Sequence, residues 1–508
     1  DSVLAPETWT RANSPHRVNA HIHIEGSGVL TLEPGALLCF VAASGLFADN
    51  GGRLAANGLD TARIVLTAAD TGDPWWGVHL SGTPGSASVL KHVRIEHSIA
   101  ALGTYDYHAA TVDSATFRQN GVGLYLWGRG THISRSRVDT TLTSGYPAAE
   151  IGTQVTYEQN VIRGSADVGL FVAGVHGVSL LGGRIEGSAG VGLKVTTTGA
   201  GFVSTQPVRV VGGAGYPAEM VVSAFPRIYT AIASQDSLLG NGRDTLVVTG
   251  GILQQFAYPS QALPWRVTDT ITVQNIGILA PKPGATLVFD SAISVLAQNG
   301  GRVVARGTLA APVLFTGADW YGIELSGVPT LPSYLTNVRI EHVASMAVWA
   351  RNDHSVIVDS SVIRQTGVAL WVFSSGSRIS RTRVDTTTAP AGAAVVLLGA
   401  SVLESTLIRG SGERGLIIAS SITIVRDCEI RDSVGPGIEV WETGEVHNCN
   451  LVNNGGAGVS AFHPATANAE DNWWGDAGGP TGTNGDGVSG LVDYTPWRTT
   501  PVVLPYVP

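Results

Sequence analysis

The chain has 508 residues, of which 44% are hydrophobic and only 14% charged, with 64 glycines and a net charge of −9. The glycines are too scattered for collagen and too mixed with Val, Ile and Leu for a disordered chain. Three lysines and no basic cluster argue against nucleic acid or an anionic membrane surface as partners, and no 18-residue apolar run predicts a membrane span.

The first residue is Asp1 rather than Met, so we expect that an N-terminal targeting segment has been removed. Residues 1–15 are interpreted as a lead-in to the first repeated block. The predicted location is the cell surface or the external medium.

A short motif recurs every 21–23 residues: an apolar residue, then a small, polar or apolar residue three positions on, then an apolar residue two further on. In the first half it occurs at Leu90/Val93/Ile95, Val112/Ala115/Phe117 and Ile133/Ser136/Val138. In the second half it occurs at Leu335/Val338/Ile340, Val358/Ser361/Ile363, Ile379/Thr382/Val384, Val402/Ser405/Leu407, Val425/Cys428/Ile430 and Val446/Cys449/Leu451.

This spacing predicts short strands, because residues two apart on a strand point to the same face. One such unit cannot bury its apolar face alone, but stacked units can. The sequence therefore predicts an all-β, right-handed parallel β-helix solenoid, with about 20 rungs of roughly 22 residues. The hand follows from the rule for parallel crossovers.

The two halves of the chain also copy each other. Residues 16–40 align with 265–289, and residues 93–97 reappear as 338–342. We predict a first β-helix block at 16–199, irregular connecting rungs at 200–264, a second block at 265–462 and a C-terminal cap at 463–508. The clusters at 212–217 and 258–261 belong to the connecting rungs.

Charged residues recur directly after the last apolar residue of the motif. The candidate catalytic residues at this position are Glu96, Arg118 and Asp139 in the first copy, and Glu341, Arg364 and Asp385 in the second. The candidate binding residues beside them are Arg94, His97, Arg137, Arg339, His342 and Arg383.

Three interpretations of these charges stay open. Paired carboxylates flanked by arginine suit polysaccharide lyases and glycoside hydrolases. The same residues suit an ion-pair ladder that only neutralises a flat sheet face. Between these lies a strip that hydrogen-bonds glycan hydroxyls without cleaving anything.

Cys428 and Cys449 occupy the same motif position on neighbouring rungs. Their Cα atoms should lie about 4.8 Å apart, within the range of a disulfide. A disulfide and two buried free thiols both fit this position. Cys39 has Val288 as its counterpart, which favours a core residue.

No sequence pattern assigns a metal site. Asp476, Asp486 and Asp493 lie among glycines near the C-terminus. Ca²⁺ is the only cofactor they suggest, and their spacing matches neither an EF-hand nor a nonapeptide calcium repeat. We interpret them as solvated turn residues.

The motifs Leu-Glu-Pro-Gly at 32–35 and Asn-Trp-Trp-Gly-Asp at 472–476 lie near the two ends of the chain. With Gly-Gly-Arg-Leu at 51–54 and Trp-Gly-Val at 76–78, the sequence resembles bacterial surface proteins with a right-handed parallel β-helix, in the pectate-lyase-like group. The resemblance implies the fold and a secreted location, not a chemistry.

Three tryptophans near the C-terminus, Trp473, Trp474 and Trp497, are expected to plug the open end of the solenoid. A paired-Trp sugar platform is the functional alternative.

Together these patterns predict a non-enzymatic extracellular scaffold or adhesin that binds a surface glycan or assembles into homo-oligomers or filaments. The alternative is a polysaccharide lyase or glycoside hydrolase acting on an acidic polysaccharide.

Overall fold

The computed structural model describes residues 1–174, 176–196, 202–224, 238–257, 263–388 and 392–504. The chain divides into two compact units, unit 1 at residues 1–247 and unit 2 at residues 248–508. Among the described residues, no helix has the length and hydropathy of a membrane span. The predicted block boundaries at 16, 199, 265 and 462 stay a prediction, and residues 258–261 lie outside the described residues.

Each turn of the chain places one strand on each of three faces, which we call A, B and C in chain order. In one such rung, Ala100–Thr104 lies on face A, Ala110–Asp113 on face B and Thr116–Asn120 on face C. Each strand pairs in parallel with its counterpart one turn later, as Ala110–Asp113 does with His132–Ser134. The chain makes about 20 turns of roughly 23 residues, so the predicted parallel β-solenoid is confirmed.

The face A strands of unit 1 are Ser2–Val3, Ile22–Ile24, Leu46–Ala48, Val78–Leu80, Ala100–Thr104, Val122–Leu126, Ala149–Ile151, Leu170–Val172, Leu193–Val195 and Ala218–Met220. Those of face B are Pro6–Trp9, Val29–Leu32, Arg53–Asn57, Ser88–Lys91, Ala110–Asp113 and His132–Ser134. Those of face C are His16–Val18, Leu37–Phe40, Ile64–Ala68, Val93–Glu96, Thr116–Asn120 and Arg137–Thr141. Three strands run through faces B and C: Thr156–Arg163, Ser179–Glu186 and Val203–Val211.

The face A strands of unit 2 are Gly251–Leu253, Ile271–Gln274, Ser294–Gln298, Gly322–Ser326, Ala393–Leu397, Arg414–Ile418, Ile438–Val440, Val459–Ala461 and Val488–Ser489. Those of face B are Phe256–Ala257, Ile278–Leu279, Arg302–Arg306, Ser333–Thr336, Val356–Asp359, Ser377–Ser380, Ser401–Glu404, Ile424–Arg426, Thr443–His447, Thr466–Asn468 and Leu491–Asp493. Those of face C are Trp265–Val267, Thr286–Phe289, Val313–Gly317, Arg383–Thr387, Leu407–Ser411, Glu429–Arg431 and Asn450–Val452. Val338–Arg351 and Val362–Val372 run from face C to face A.

Regular structure outside these strands is short. Leu246–Val248 lies at the boundary between the units. The part of the chain that the structure describes contains the 3-10 helices Arg11–Asn13, Val222–Ala224 and Gly479–Thr481. The described part of the predicted connecting region, residues 202–224 and 238–257, includes strands such as Val203–Val211 and Ala218–Met220, which pair with the rung before them.

Single residues in the left-handed conformation make the corner between faces B and C. Arg135 and Arg381 occupy this corner in the two units, each with φ 46°. One such residue reverses the inward and outward alternation, so both flanking strands can bury apolar side chains. This explains the motif: Leu90 is the last inward-facing residue on face B, and Val93 and Ile95 are the first two on face C, all three fully buried.

The small polar position of the motif also has a defined role inside the helix. The Ser136 hydroxyl donates to the Ser134 carbonyl at 2.8 Å, and the Thr382 hydroxyl donates to the Ser380 carbonyl at 2.8 Å. A buried hydroxyl beside the corner therefore has a backbone partner.

The predicted register is wrong in one rung. Ile379 pairs with Leu403, not Val402, and Val384 pairs with Ile408, not Leu407. Ser405, predicted to face the core, is instead the left-handed corner residue with φ 49°. One extra residue lies between this rung and the one before it, and a one-residue slip moves every side chain to the other face.

Candidate functional site

The first predicted charged strip lies on face C of unit 1, with one member per rung. Arg118 pairs in register with Glu96 on one side and with Asp139 on the other. The nearly buried Glu96 carboxylate has the Nε atoms of both Arg94 and Arg118 at 3.3 Å, without hydrogen-bond alignment. Arg137 donates from Nε to Asp139 Oδ1 at 2.5 Å.

The second strip repeats this arrangement on face C of unit 2, with different pairing. Arg364 donates from Nε to Glu341 Oε1 at 3.0 Å. Asp385 accepts from Arg383 at 2.6 Å and from Arg409 at 2.5 Å. Arg339 is exposed and has no ion pair among the described residues.

The spacing of the carboxylates bears on what the strips can do. Glu96 and Asp139 lie two rungs apart, which is about 10 Å at the strand spacing of a sheet. Hydrolases hold their carboxyl pair about 5–5.5 Å apart when retaining and about 6.5–9.5 Å apart when inverting. A general base also needs a carboxylate that is not neutralised, and each of these four has an arginine beside it.

The two predicted binding histidines follow the glutamates at left-handed corners, with φ 58° at His97 and 57° at His342. His97 Nε2 lies 2.9 Å from Gln119 Oε1, and His97 Nδ1 lies 3.3 Å from Thr67 Oγ1. Because an amide oxygen only accepts, Nε2 carries the proton. Both ring nitrogens of His97 therefore have partners within the protein.

A depression on face B of unit 2 was not predicted. It has a volume of about 710 Å³ and is open to solvent. Its lining residues are Arg306, Tyr334, Thr336, Ile357, Asp359, Arg378, Ser380, Arg381, Glu404 and Ser405.

The two carboxylates in this depression are neutralised by arginines. Arg381 donates two hydrogen bonds to Asp359, at 2.9 and 2.6 Å, and the Ser380 hydroxyl donates a third at 2.7 Å. Glu404 accepts from Arg378 on one oxygen and from Arg426 on the other.

These contacts keep both acids charged. Burial alone would raise the pKa of Asp359, but the hydrogen bonds from Arg381 and Ser380 outweigh it and lower that pKa. Burial would also raise the pKa of Glu404, but the hydrogen bonds from Arg426 and Arg378 outweigh burial and lower that pKa. Neither group is held protonated as a general acid would be.

One arginine in the depression, Arg306, does not neutralise a carboxylate of the described residues. The Arg306 guanidinium lies over the Tyr334 ring, 4.5 Å from its centroid. Among the described residues, Arg306 has no carboxylate partner. Its N–H donors remain available beside an aromatic surface.

Face A of unit 1 carries a ladder of outward aromatic rings. Phe47 stacks on His23 at 5.3 Å and on His79 at 5.1 Å, and His79 stacks on Tyr105 at 6.2 Å. Tyr105 fills the space left by Gly103, where a Cβ would lie 2.7 Å from the ring. Because ring faces cover each other, the ladder is suited to stabilising the sheet.

The same face of unit 2 is apolar instead. Trp349 and Trp371 lie side by side in register, and Val396 and Ile417 follow in the next two rungs. Val396 and Ile417 are buried, and Trp371 packs against them. We call these four residues the apolar quartet.

The comparison with protein families agrees with this geometry. Residues 321–473 match the family model described as the right handed beta helix region. The chain is a right-handed β-helix repeat protein. A comparison with curated proteins gives no significant match.

In this β-helix protein Cys428 and Cys449, for which a disulfide and two free thiols were both open, are not bonded to each other in the structure. Cys428 Sγ donates to the Arg426 carbonyl at 3.1 Å, and Cys449 Sγ donates to the His447 carbonyl at 3.2 Å. Burial raises the pKa of Cys428 well above its usual value. The oxidation state of the pair in solution stays a prediction.

The three C-terminal tryptophans have different environments in this β-helix protein. Trp474 is fully buried, with its ring edge-on to Tyr494 at 6.4 Å. Trp497 donates from its indole N–H to the Ala477 carbonyl at 3.2 Å and covers Gly479. Trp473 is half-buried, and its backbone forms a parallel β-bridge with Asn450. Burial makes Trp474 unavailable to a sugar.

The C-terminal aspartates accept hydrogen bonds from groups near them in the chain fold, mostly backbone and side-chain amides. Asp476 accepts from the amides of Gly478 at 2.7 Å and Asn484 at 3.2 Å, whereas Asp486 accepts from Asn454 Nδ2 at 2.6 Å. Asp493 accepts from Thr495. Among the described residues, these three do not gather into a metal-binding group.

Sequence reasoning missed Arg306 and Tyr334 because it followed only the charges that come after the face C strand. The missing signal was the outward column of face B, where Arg306 pairs with Thr336 and Thr336 with Asp359. Strands of different lengths and loops hide that column until the register is known.

Proposed function

We propose that the protein is a non-enzymatic extracellular scaffold that binds an acidic glycan in the face B depression of unit 2. The observation that carries the proposal is Arg306, a guanidinium without a carboxylate partner among the described residues, which lies over the Tyr334 ring. A free planar cation beside a ring suits a sugar that carries a carboxylate or sulfate.

The rest of the depression fits the same ligand class. Asp359 and Glu404 are already neutralised, yet each carboxylate has lone pairs that can accept from sugar hydroxyls. Tyr334 and Ile357 supply apolar surface for the carbon face of a sugar ring. Three arginines against two carboxylates favour a negatively charged ligand over a neutral one.

The charged strips support binding rather than cleavage. The spacing of Glu96 and Asp139 is wider than hydrolases use, and Asp385 is held by two arginines. The alternative, a polysaccharide lyase or glycoside hydrolase, needs a carboxylate or basic group free to take a proton.

Affinity electrophoresis against a panel of acidic and neutral polysaccharides tests the proposal. We expect retardation by an acidic polysaccharide and none by neutral ones. Arg306→Gln should weaken binding about tenfold, the value of one charge-assisted hydrogen bond. Retention on neutral and acidic polymers alike would contradict the proposal.

Arg129→Gln is the matched control, since Arg129 also lies over a tyrosine, Tyr107, at 4.8 Å but outside the depression. It should leave binding unchanged. If both arginine variants weaken binding equally, the depression is not the site.

Self-assembly is a second candidate, favoured by Trp349 and Trp371, the two partly exposed members of the apolar quartet. Salt bridges border the quartet on both sides, Arg351 with Glu324 and Arg414 with Glu439. An apolar centre with a charged rim is typical of protein interfaces. Sedimentation over a concentration series should show association that Trp371→Ser reduces, and a monomer at every concentration would sink this candidate.

A further inference from the structure

Three metal-ligating side chains meet at one edge of face A in unit 1. His23 points outward from the strand Ile22–Ile24, and Glu25 follows that strand. Asp49 occupies the position of Glu25 one rung later, and Ser81 the same position in the rung after that. The ligand atoms of His23, Glu25 and Asp49 all lie within 4.8 Å of one another.

The charge of this group differs from that of the charged strips and of the face B depression. Carboxylates on faces B and C, such as Asp385 and Glu404, are neutralised by arginines. Among the described residues, Glu25 and Asp49 have no arginine or lysine partner. Two carboxylates on neighbouring rungs repel each other, and a bound cation would remove that repulsion.

The contacts that do exist orient Asp49. Ser81 donates from its hydroxyl to Asp49 Oδ1 at 2.5 Å, and His23 Nδ1 lies 3.4 Å from Asp49 Oδ2. The His23 ring is in turn stacked on Phe47 at 5.3 Å. Outer contacts of this kind hold metal ligands in place.

The duplicated block shows that the fold does not need these charges. The counterparts of His23, Glu25 and Asp49 in unit 2 are Thr272, Gln274 and Gln298, all of them neutral. Gln274 and Gln298 pair in register on neighbouring face A strands, as Glu25 and Asp49 follow theirs. The same strand positions therefore carry three metal-ligating side chains in unit 1 and neutral side chains in unit 2.

We propose that His23, Glu25 and Asp49 form a binding site for a divalent transition-metal ion of the Zn²⁺ type. One imidazole and two carboxylates supply three ligands and leave a fourth position for water. The imidazole disfavours Mg²⁺ and Ca²⁺, which take oxygen ligands. The inference does not rest on glycan binding, which concerns unit 2.

Isothermal titration of the tag-free full chain with ZnCl₂ after chelator treatment tests the proposal. We expect one site in the intact chain. The triple variant His23→Thr, Glu25→Gln, Asp49→Gln gives unit 1 the side chains found at the equivalent positions of unit 2. This variant should lose the Zn²⁺ site. Ser81→Ala should weaken binding about tenfold, the usual effect of removing an outer contact.

Asp106→Asn is the control, because it removes one exposed carboxylate of unit 1 at a left-handed position that Asn tolerates. It should bind Zn²⁺ as the intact chain does, and thermal melts should show all variants folded. Zn²⁺ binding unchanged in the triple variant would overturn the site. Ca²⁺ binding as tight as Zn²⁺, or full affinity in His23→Thr alone, would overturn the metal class.

Discussion

Face B carries an equivalent aspartate–serine–arginine trio in both units, but the pair Arg306 and Tyr334 of unit 2 has no arginine or tyrosine at the equivalent positions of unit 1. The trio Asp113, Ser134 and Arg135 of unit 1 corresponds to Asp359, Ser380 and Arg381 of unit 2. In each trio the serine and the arginine donate to the aspartate, with one arginine hydrogen bond in unit 1 and two in unit 2. The counterparts of Arg306 and Tyr334 in unit 1 are Asn57 and Val89.

The difference separates structural roles from binding roles within one chain. Charges that recur at equivalent positions and neutralise each other belong to the scaffold, since each copy needs them to solvate a flat sheet. Some charged residues are present in one copy only, such as Arg306 in unit 2 or Glu25 and Asp49 in unit 1. These are better candidates for ligand binding than the charges that recur in both copies. Three predictions compare equivalent residues of the two units, and a fourth concerns Cys449 of unit 2.

The largest effect is expected at the buried tryptophans Trp75 and Trp320. Each stacks on a phenylalanine, at 3.9 Å for Phe40 and 4.3 Å for Phe289, and donates its indole N–H to a backbone carbonyl at 3.0 Å. Replacement by alanine should lower the free energy of unfolding by about 3–5 kcal/mol in both cases.

Urea unfolding measures both variants, with Trp76→Ala as the control because that side chain is 44% exposed. A large loss for one tryptophan and a small loss for its counterpart would show that the copies are not energetically equivalent.

The second prediction concerns the buried histidines His108 and His354. Each has Nε2 at 2.8 Å from a serine hydroxyl and Nδ1 facing a carbonyl. Because a carbonyl only accepts, Nδ1 carries the proton and the neutral ring is satisfied. Burial lowers both pKa values, that of His354 from 6.5 to about 4.

His354 is therefore protonated near pH 6.5 in the unfolded chain, but only near pH 4 in the folded chain. Stability present above pH 6.5 is lost as the pH falls through this window, by about 3 kcal/mol for His354. His354→Gln should flatten the pH dependence of the urea midpoint more than His108→Gln does. Equal slopes for intact chain and both variants would refute this.

The third prediction compares the aspartates of the two charged strips. Asp385 is held by Arg383 and Arg409, whereas Asp139 is paired with Arg137. Asp385→Asn should cost about 1–2 kcal/mol of unfolding free energy and Asp139→Asn less than about 1 kcal/mol.

Both losses should shrink at high salt, since these pairs are partly exposed. Chemical unfolding at low and high ionic strength is the measurement. An equal cost for the two variants would mean that the second arginine adds nothing.

The smallest effect is expected at Cys449. A serine there can donate to the His447 carbonyl as the thiol does, in the way Thr382 donates to Ser380. Cys449→Ser should stay within about 1 kcal/mol of the intact chain if the thiols are free. Loss of a disulfide that closes this loop would cost about 3 kcal/mol, and non-reducing mass spectrometry would then show the crosslink.

The sequence predicted the fold well because its periodic pattern reflects burial, which dominates a solenoid. Leu90, Val93 and Ile95 recur as a motif because all three face the core. The slip at Val402 arose because an inserted residue leaves a second set of apolar residues in plausible positions. Nothing in a local pattern distinguishes Leu403 from Val402 until the pairing with Ile379 is known.

The candidate sites were harder to predict, because they depend on neighbours from different rungs. The charged strips were visible since each member follows the same motif. Arg306 and Tyr334 are separated by loops of the intervening turn, and His23 and Asp49 by the rest of a rung. Their proximity follows only from the register of the strands.

Unit 2 is proposed to bind an acidic glycan without cleaving it. Size-exclusion chromatography of an acidic oligosaccharide after prolonged incubation with equimolar protein tests this most directly. We expect the intact oligosaccharide to elute with the protein and to return to its free position with Arg306→Gln. Shorter or unsaturated fragments that accumulate with time would contradict it.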